Sequence, residues 1–411
     1  MGDRRHGVCR RTSGAPDLGH GHSVTRRTIA RRGCLLTAFL VVAALLTGEQ
    51  ARTNELVLTD SEIAELVRHG PWPVPKSPDP SNRASGKPEA IEFGRILFFD
   101  KRLSRTGTVS CATCHRPDRG WTDGLPQSRG LATVDRNALP LFDVGRQRWF
   151  GWDGRSDSLW AHSIGPILDP REMGADASHL ARVIGTDPVL SRAYQGVFGY
   201  TIDPSGADRV LADVAKALAA FQETIVSGRT RFDEFRDALA RGDRVAAARY
   251  PQQAQRGAAL FVGQGKCNFC HVGPAFTNGE FADVGVPFFI EPGRVDPGRQ
   301  QGILLLRSSP YNQLGLFNDD PERRDAWATR HVADLHANFG AFKVPTLRNL
   351  THTAPYMHNG SRASLTDVVR HYSEIDLTRL HTDGERILQP LRLTESEIAD
   401  LVAFLRSLSV D

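Results

Sequence analysis

Cys111-Ala112-Thr113-Cys114-His115 returns 156 positions later as Cys267-Asn268-Phe269-Cys270-His271. Two thiols at this spacing are placed to form thioethers with the vinyl groups of one haem. The histidine that follows brings an imidazole to the iron, completing the c-type haem attachment pattern. A structural zinc site needs four thiolates, or two thiolates and two imidazoles, and pooling both motifs into one such site leaves at least two candidate ligands unused. A thioredoxin-like Cys-x-x-Cys wants a βαβ setting, and neither motif follows a strand-like apolar run. The other cysteines, Cys9 and Cys34, lie near the N-terminus, so every downstream thiol is accounted for. The chain therefore reads as carrying two covalently attached haem c groups, held by Cys111, Cys114 and His115 and by Cys267, Cys270 and His271.

Its 411 residues suffice for two domains of ordinary size, one for each motif. Arg26, Arg27, Arg31 and Arg32 precede the apolar run Cys34 to Leu46, which is short for a bilayer span and reads as a secretory signal within residues 1–48. The expected location is the periplasm. No clean A-x-A cleavage site is present, with Gly48 and Ala51 as the candidate points, and an uncleaved membrane anchor is the alternative. Cys34 opens the apolar run rather than closing it, which argues against a lipoprotein cysteine. The leader holds eight Lys/Arg and two Asp/Glu; without it 43 basic residues face 45 acidic ones, a net charge of −2 in place of +4. Haem propionates add more negative charge, so a nucleic-acid partner is excluded in favour of a redox protein or a small molecule.

Residues 49–87 form an N-terminal arm whose proline-rich part, from Gly70-Pro71-Trp72-Pro73, cannot be helical and reads as a strap or linker. From Pro88, Ile91, Phe93, Ile96 and Leu97 predict a short helix ending before Asp100, with the first motif soon after. Ala254, Ala258, Leu260 and Phe261, before Gly263, announce the second motif in the same way. Val210, Val214, Ala217, Leu218, Phe221 and Ile225 fall at helical spacing and predict a core helix closed by Gly228. The charged, alanine-rich stretch 229–250 takes the domain boundary, giving haem domains at 88–240 and 241–411. Thr394 with Glu397 forms a capping box ahead of a terminal helix that packs on the second domain. Strand signals are few, so the fold class is mainly α, with long loops and with haem supplying much of the buried apolar surface.

With the motifs placed, Trp152-Asp153-Gly154-Arg155, Gly165-Pro166, Pro170-Arg171-Glu172-Met173-Gly174, Arg136-Asn137, Lys343 to Asn349 and Thr353 to Gly360 resemble the bacterial di-haem cytochrome c peroxidase and MauG-like superfamily. The resemblance runs from about Gly86 to the C-terminus. It implies that the N-terminal haem reacts with hydrogen peroxide and the C-terminal haem relays electrons. Glu172, otherwise a solvated loop acid, would then stand over the open iron face and move a proton between the peroxide oxygens. Trp152, otherwise a core aromatic, would carry charge between the haems. Pro166 matches a proline lining the distal pocket, and reads equally as a plain turn after glycine. Asn137, Thr353 and Pro355 match positions whose oxygens hold a calcium ion between the domains, as suits a hard cation. His358 reads as a structural hydrogen-bonding histidine.

Three positions depart from the simplest peroxidases. A histidine that blocks the peroxidatic iron is replaced by Leu131, which cannot ligate. The distal glutamine, ten residues after Trp152, is His162, able to donate, accept or bind metal. The axial methionine of the second haem is Tyr372, the substitution found in MauG-type enzymes, which oxidise aromatic residues of a partner protein. His371 is the neighbouring alternative ligand, but adjacent helical residues point about 100° apart, and the apolar spacing of Leu365, Val368 and Val369 favours Tyr372. Of the methionines, Met173 belongs with the first haem's loop and Met357 sits where the family does not ligate. Residues 299–340 are longer than the simplest connector and read as a surface loop, either shaping a partner site or mere decoration. The sequence thus points to a di-haem peroxidase of the MauG-like branch acting on hydrogen peroxide and a protein partner. An ordinary cytochrome c peroxidase fed by a small cytochrome or cupredoxin is the alternative, and a non-catalytic di-haem electron-transfer cytochrome the competitor from another class.

Overall fold

The computed structural model describes residues 55–410 except 288, 385 and 386. The leader 1–48, Cys9, Cys34 and the start of the arm lie outside the described residues. The fold is mainly helical, as expected. Among the described residues the strands are two short antiparallel pairs, Phe281–Ala282 with Phe342–Lys343 and Phe289–Glu291 with Arg294–Val295. Among the described residues no helix is long and apolar enough to cross a membrane.

Among the described residues two large hydrophobic cores form, with a small third cluster of Trp149, Leu306 and Ala328. The first surrounds Ala207–Gln222, whose residues 210–222 are all buried because the helix is covered by Pro88–Phe99, Leu159–Leu168 and Ala177–Thr186 on different sides. The helix stops at Gln222 rather than running to Gly228. Thr224 turns its hydroxyl back onto the Phe221 carbonyl at 2.7 Å, and Ile225, buried beyond the helix, gives its carbonyl to the Asp143 amide. The second core joins Gln252–Val262, Leu365–Ser373 and Glu395–Arg406, the last opened by the expected Thr394/Glu397 capping box. The charged stretch after 229 is helical over Arg231–Ala240, and its apolar side, Phe232, Phe235 and Leu239, enters this second core. The arm contributes a helix, Asp60–Val67, that packs on the same core through Leu66. Its proline-rich part is a strap: the Trp72 indole is buried, donates to the Ser227 carbonyl at 3.1 Å and lies 3.9 Å under the Arg348 guanidinium.

The two cores repeat one device. The helix before each haem motif carries a glycine, Gly94 or Gly257, that lets two helix backbones touch. A Cβ on Gly94 would stand 1.9 Å from the Ala217 carbonyl oxygen, and one on Gly257 2.0 Å from that of Asp400. Four residues on, Phe98 and Phe261 each meet the ring of the opposing helix, Phe221 and Phe404, at 5.2 and 5.0 Å. Because a carbonyl in a packed helix cannot step aside, Gly94→Ala and Gly257→Ala are each expected to cost at least the roughly 1–3 kcal/mol of an overpacked core. Gly196→Ala, facing open space in the Pro188–Phe198 helix, is expected instead to be neutral or stabilising by up to about 1 kcal/mol. Urea midpoints of the haem-loaded protein check both, and equal midpoints for all three variants would contradict the close-approach reading.

The segment 299–340 is not a plain surface loop. Arg299–Ser308 is a helix with Ile303 and Leu306 buried, and the following turns are tied to the first core. Asp157 accepts from the Gln313 amide at 2.9 Å and from the Thr329 hydroxyl at 2.7 Å, while Lys216 reaches Asp319 at 2.6 Å. Apolar residues spaced along an Asp/Arg-rich stretch carry little periodic signal, which is why the segment reads as exposed from sequence.

Candidate active site: two thiol–imidazole motifs and what faces them

Each motif abuts its own core, Cys111 the first and Cys267 the second. The thiols of Cys111, Cys114 and Cys267 lie outside any disulfide, and burial pushes each up to about 12, so none is a reactive thiolate. Both histidines are anchored alike. His115 Nδ1 lies 3.0 Å from the Trp121 carbonyl and His271 Nδ1 lies 3.0 Å from that of Phe276. A carbonyl only accepts, so Nδ1 carries the proton in both rings and Nε2 keeps its lone pair for iron. Burial lowers the pKa of both, His271 to about 4, which keeps that lone pair free at neutral pH. The anchoring carbonyls belong to bulky residues with φ of 61° and 52°, a left-handed conformation that aromatics rarely adopt. Trp121 and Phe276 hold it because their rings pack against the paired phenylalanines, Phe98 with Phe221 and Phe261 with Phe404. Paired thiols, an oriented imidazole and an aromatic floor fit a covalently attached haem at both places.

Around the first motif, Glu172 sits in a turn whose carbonyl accepts from the Leu131 amide at 3.0 Å, while Ala132 donates to Arg171 at 2.7 Å. Leu131 thus lies against the Glu172 turn, its side chain packed on the first core. The Glu172 carboxyl is close enough to Cys111 and Cys114 to raise both thiols. Burial, then Asp169, pushes Glu172 itself up to about 7. His162, on Leu159–Leu168, is lowered to about 4 by burial and then by Arg155, and it also feels His115. Its Nδ1 is buried without a hydrogen-bond partner among the described residues. Pro166 lies inside that helix rather than in a loop, and its carbonyl accepts from the Met173 amide at 3.0 Å. Proline here forfeits the bond to the carbonyl four residues back, that of His162, and crowds it, and the helix ends two residues later at Leu168. Met173 is buried in the first core.

Arg155 was quoted above only as part of a motif, yet it reaches both Glu172 and His162 electrostatically. It is held by Asp153 at 2.7 Å, and Arg136 meets the same carboxylate at 2.8 Å. Burial alone would raise Asp153, but the two guanidinium groups hold it well below the usual carboxylate range.

Around the second motif lies a cavity of about 1630 Å³ lined by Cys267, Cys270, His271, Tyr372, Met357 and the apolar Leu365, Val369 and Leu401. Burial, then the two thiols Cys267 and Cys270, raises the Tyr372 phenol, which lines the same cavity as the motif and lies within its electrostatic reach. His371 points elsewhere: its Nε2 lies 2.7 Å from the Val284 carbonyl and its Nδ1 3.1 Å from the Arg362 guanidinium. Trp152 is buried on the same cavity wall and donates to the Asn137 carbonyl at 2.9 Å. Leu139, whose carbonyl faces His115, lines the cavity too, so the stretch 137–140 forms a wall common to both motifs. Asn137, Thr353 and Pro355 all line this cavity. His358 stacks on Phe342 at 3.5 Å, and its carbonyl accepts from the Asn137 amide, a structural placement.

A family model described as di-haem cytochrome c peroxidase matches residues 88–241. The chain is 36% identical over 326 residues to the methylamine utilization protein MauG of Methylorubrum extorquens, covering 79% of each chain. It is 32% identical over 381 residues to the cytochrome-c peroxidase IdrP2 of a Pseudomonas species, covering 92% of this chain and 90% of that protein. The diheme peroxidase BthA of Burkholderia thailandensis shares its fold, with a TM-score of 0.63 at 24% identity over 79% of this chain and 86% of that one.

Proposed function

Since the chain belongs to the di-haem cytochrome c peroxidase family, whose members are oxidoreductases carrying two haem c groups, we propose that it is a periplasmic peroxidase of the MauG-like branch. In this reading Cys111, Cys114 and His115 would hold the haem that supplies peroxide reduction, and Cys267, Cys270 and His271 would hold the haem that supplies oxidation of a protein partner. The carrying observation is Tyr372, which shares a cavity with Cys267, Cys270 and His271 and feels both thiols, while both ring nitrogens of His371 are engaged elsewhere. The haems supply the redox-active irons; this chain's residues supply positioning and proton movement. The Glu172 carboxylate takes the proton from the near peroxide oxygen and delivers it to the far one, with Arg155 in electrostatic reach of both Glu172 and His162. Trp152 carries charge across the common wall. Asn137, Thr353 and Pro355 would offer neutral oxygens to a calcium ion, with waters completing its shell. The two haem domains are assigned to 88–240 and 241–411.

Leu131 in place of a blocking ligand leads to a specific expectation: the fully ferric protein reacts with peroxide. Rapid mixing without reductant is expected to change the haem spectrum, and a spectrum that stays still until reductant is added would overturn the open-site reading. His162 is assigned a distal role rather than iron ligation. His162→Gln is therefore expected to keep the high-spin electron paramagnetic resonance signal of the first haem; conversion from low-spin to high-spin on mutation would identify His162 as the ligand. A second reading, an ordinary cytochrome c peroxidase, draws on Met357, which lines the same cavity as His271.

A further inference from the structure

Away from the haem motifs, His336, His381 and Asp383 bring three ligand atoms within 4.8 Å of one another. His336 Nδ1 lies 2.9 Å from an Asp383 carboxylate oxygen, and the two imidazoles meet edge to face at 4.7 Å between centroids. Phe339 packs against both rings and forms an apolar floor. The His381 amide is fixed by the Asp283 carboxylate at 2.6 Å, yet its Nδ1 is buried without a hydrogen-bond partner among the described residues. Leaving a buried imidazole nitrogen unmatched costs free energy unless something else binds it. An ion pair between His336 and Asp383 accounts for two of the three groups and leaves His381 unexplained.

We propose that His336, His381 and Asp383 form a binding site for a divalent first-row transition metal, completed by water. Two imidazoles and one carboxylate suit Zn(II), Cu(II) or Ni(II), whereas calcium and magnesium prefer all-oxygen shells. Metal–ligand bonds of about 2.0–2.2 Å require the three donors to close further. The His336 and Asp383 side chains, 68% and 60% exposed, are free to make that adjustment. The donors come from two segments, one ending the 299–340 stretch and one after Leu380. Leu335, Asn338 and Gly384 of the same segments line the cavity that holds His271 and Tyr372. A bound ion would clasp these two segments at the cavity's edge.

The test uses the haem-loaded full chain, washed with a chelator and titrated with Zn(II), with metal analysis and calorimetry as readouts. One zinc per chain is expected in addition to the two irons. His381→Ala is expected to weaken binding at least as much as the roughly 10–100-fold that an outer-shell partner contributes. The exposed His336→Ala provides a second variant should His381→Ala misfold, with unchanged haem spectra as the control in both. Cu(II) is expected to compete with zinc and win. Absence of a third metal, or equal zinc affinity in wild type and His336→Ala, would overturn the site.

Discussion

Glu172→Gln is expected to lower peroxide turnover by roughly 10²–10⁴-fold while both haems stay attached, the usual contribution of a positioned acid–base group. The amide keeps shape and polarity and cannot carry the proton. Because burial and Asp169 place the Glu172 carboxyl at about 7, the wild-type reaction should also have a pH profile. The carboxylate is the form that accepts the first proton, so the rate at limiting peroxide is expected to rise through pH 7 and level off above it. In Glu172→Gln that inflection should vanish. Steady-state kinetics across pH separate the outcomes: a loss well short of tenfold with the inflection retained would move the proton chemistry to His162.

The second large effect is expected in the second haem's reduction potential. A phenolate is anionic and hard and stabilises ferric iron, whereas a thioether is neutral and soft and favours the ferrous state. Tyr372→Met is therefore expected to raise the potential by on the order of hundreds of millivolts, within the roughly 0.8 V span that axial ligands command. Burial makes the free phenol hard to ionise, so ligation by Tyr372 would require loss of that proton and should weaken as pH falls. Spectroelectrochemistry of Tyr372→Met and Tyr372→Phe reads the shift. An unchanged potential in Tyr372→Phe, or a far-red sulfur-to-iron band in the wild type, would hand the ligand role to Met357 and favour the ordinary peroxidases.

What the sequence announces here is local. The haem motifs, the helices ahead of them and the Thr394 capping box rest on residues within a few positions of one another, and the helical spans and the box recur in the structure. The helix end at Gln222 was missed because Thr224, turning its hydroxyl back onto the Phe221 carbonyl, outweighed a more distant glycine. The plain-turn alternative for Pro166 fails because Gly-Pro signals a turn unless neighbours hold the helix. Leu131 against the Glu172 turn depends on a hydrogen bond between stretches some 40 residues apart, and Arg155 meets Glu172 only through the electrostatics of the folded site, to both of which periodicity is blind. The same holds for His336 and His381, which meet across 45 positions.

Gly94 with Phe98, Phe221 and Trp121, and Gly257 with Phe261, Phe404 and Phe276, build the same support beside the two haem motifs. On the proposed function, what distinguishes the two centres would then come from residues outside that support, Glu172 and His162 for one and Tyr372 for the other. The support is common hardware, and the residues outside it are exchangeable fittings. Substitution there can retune one centre without disturbing the seat of the other, so reactivity and electron storage are free to be altered separately, by selection or by design.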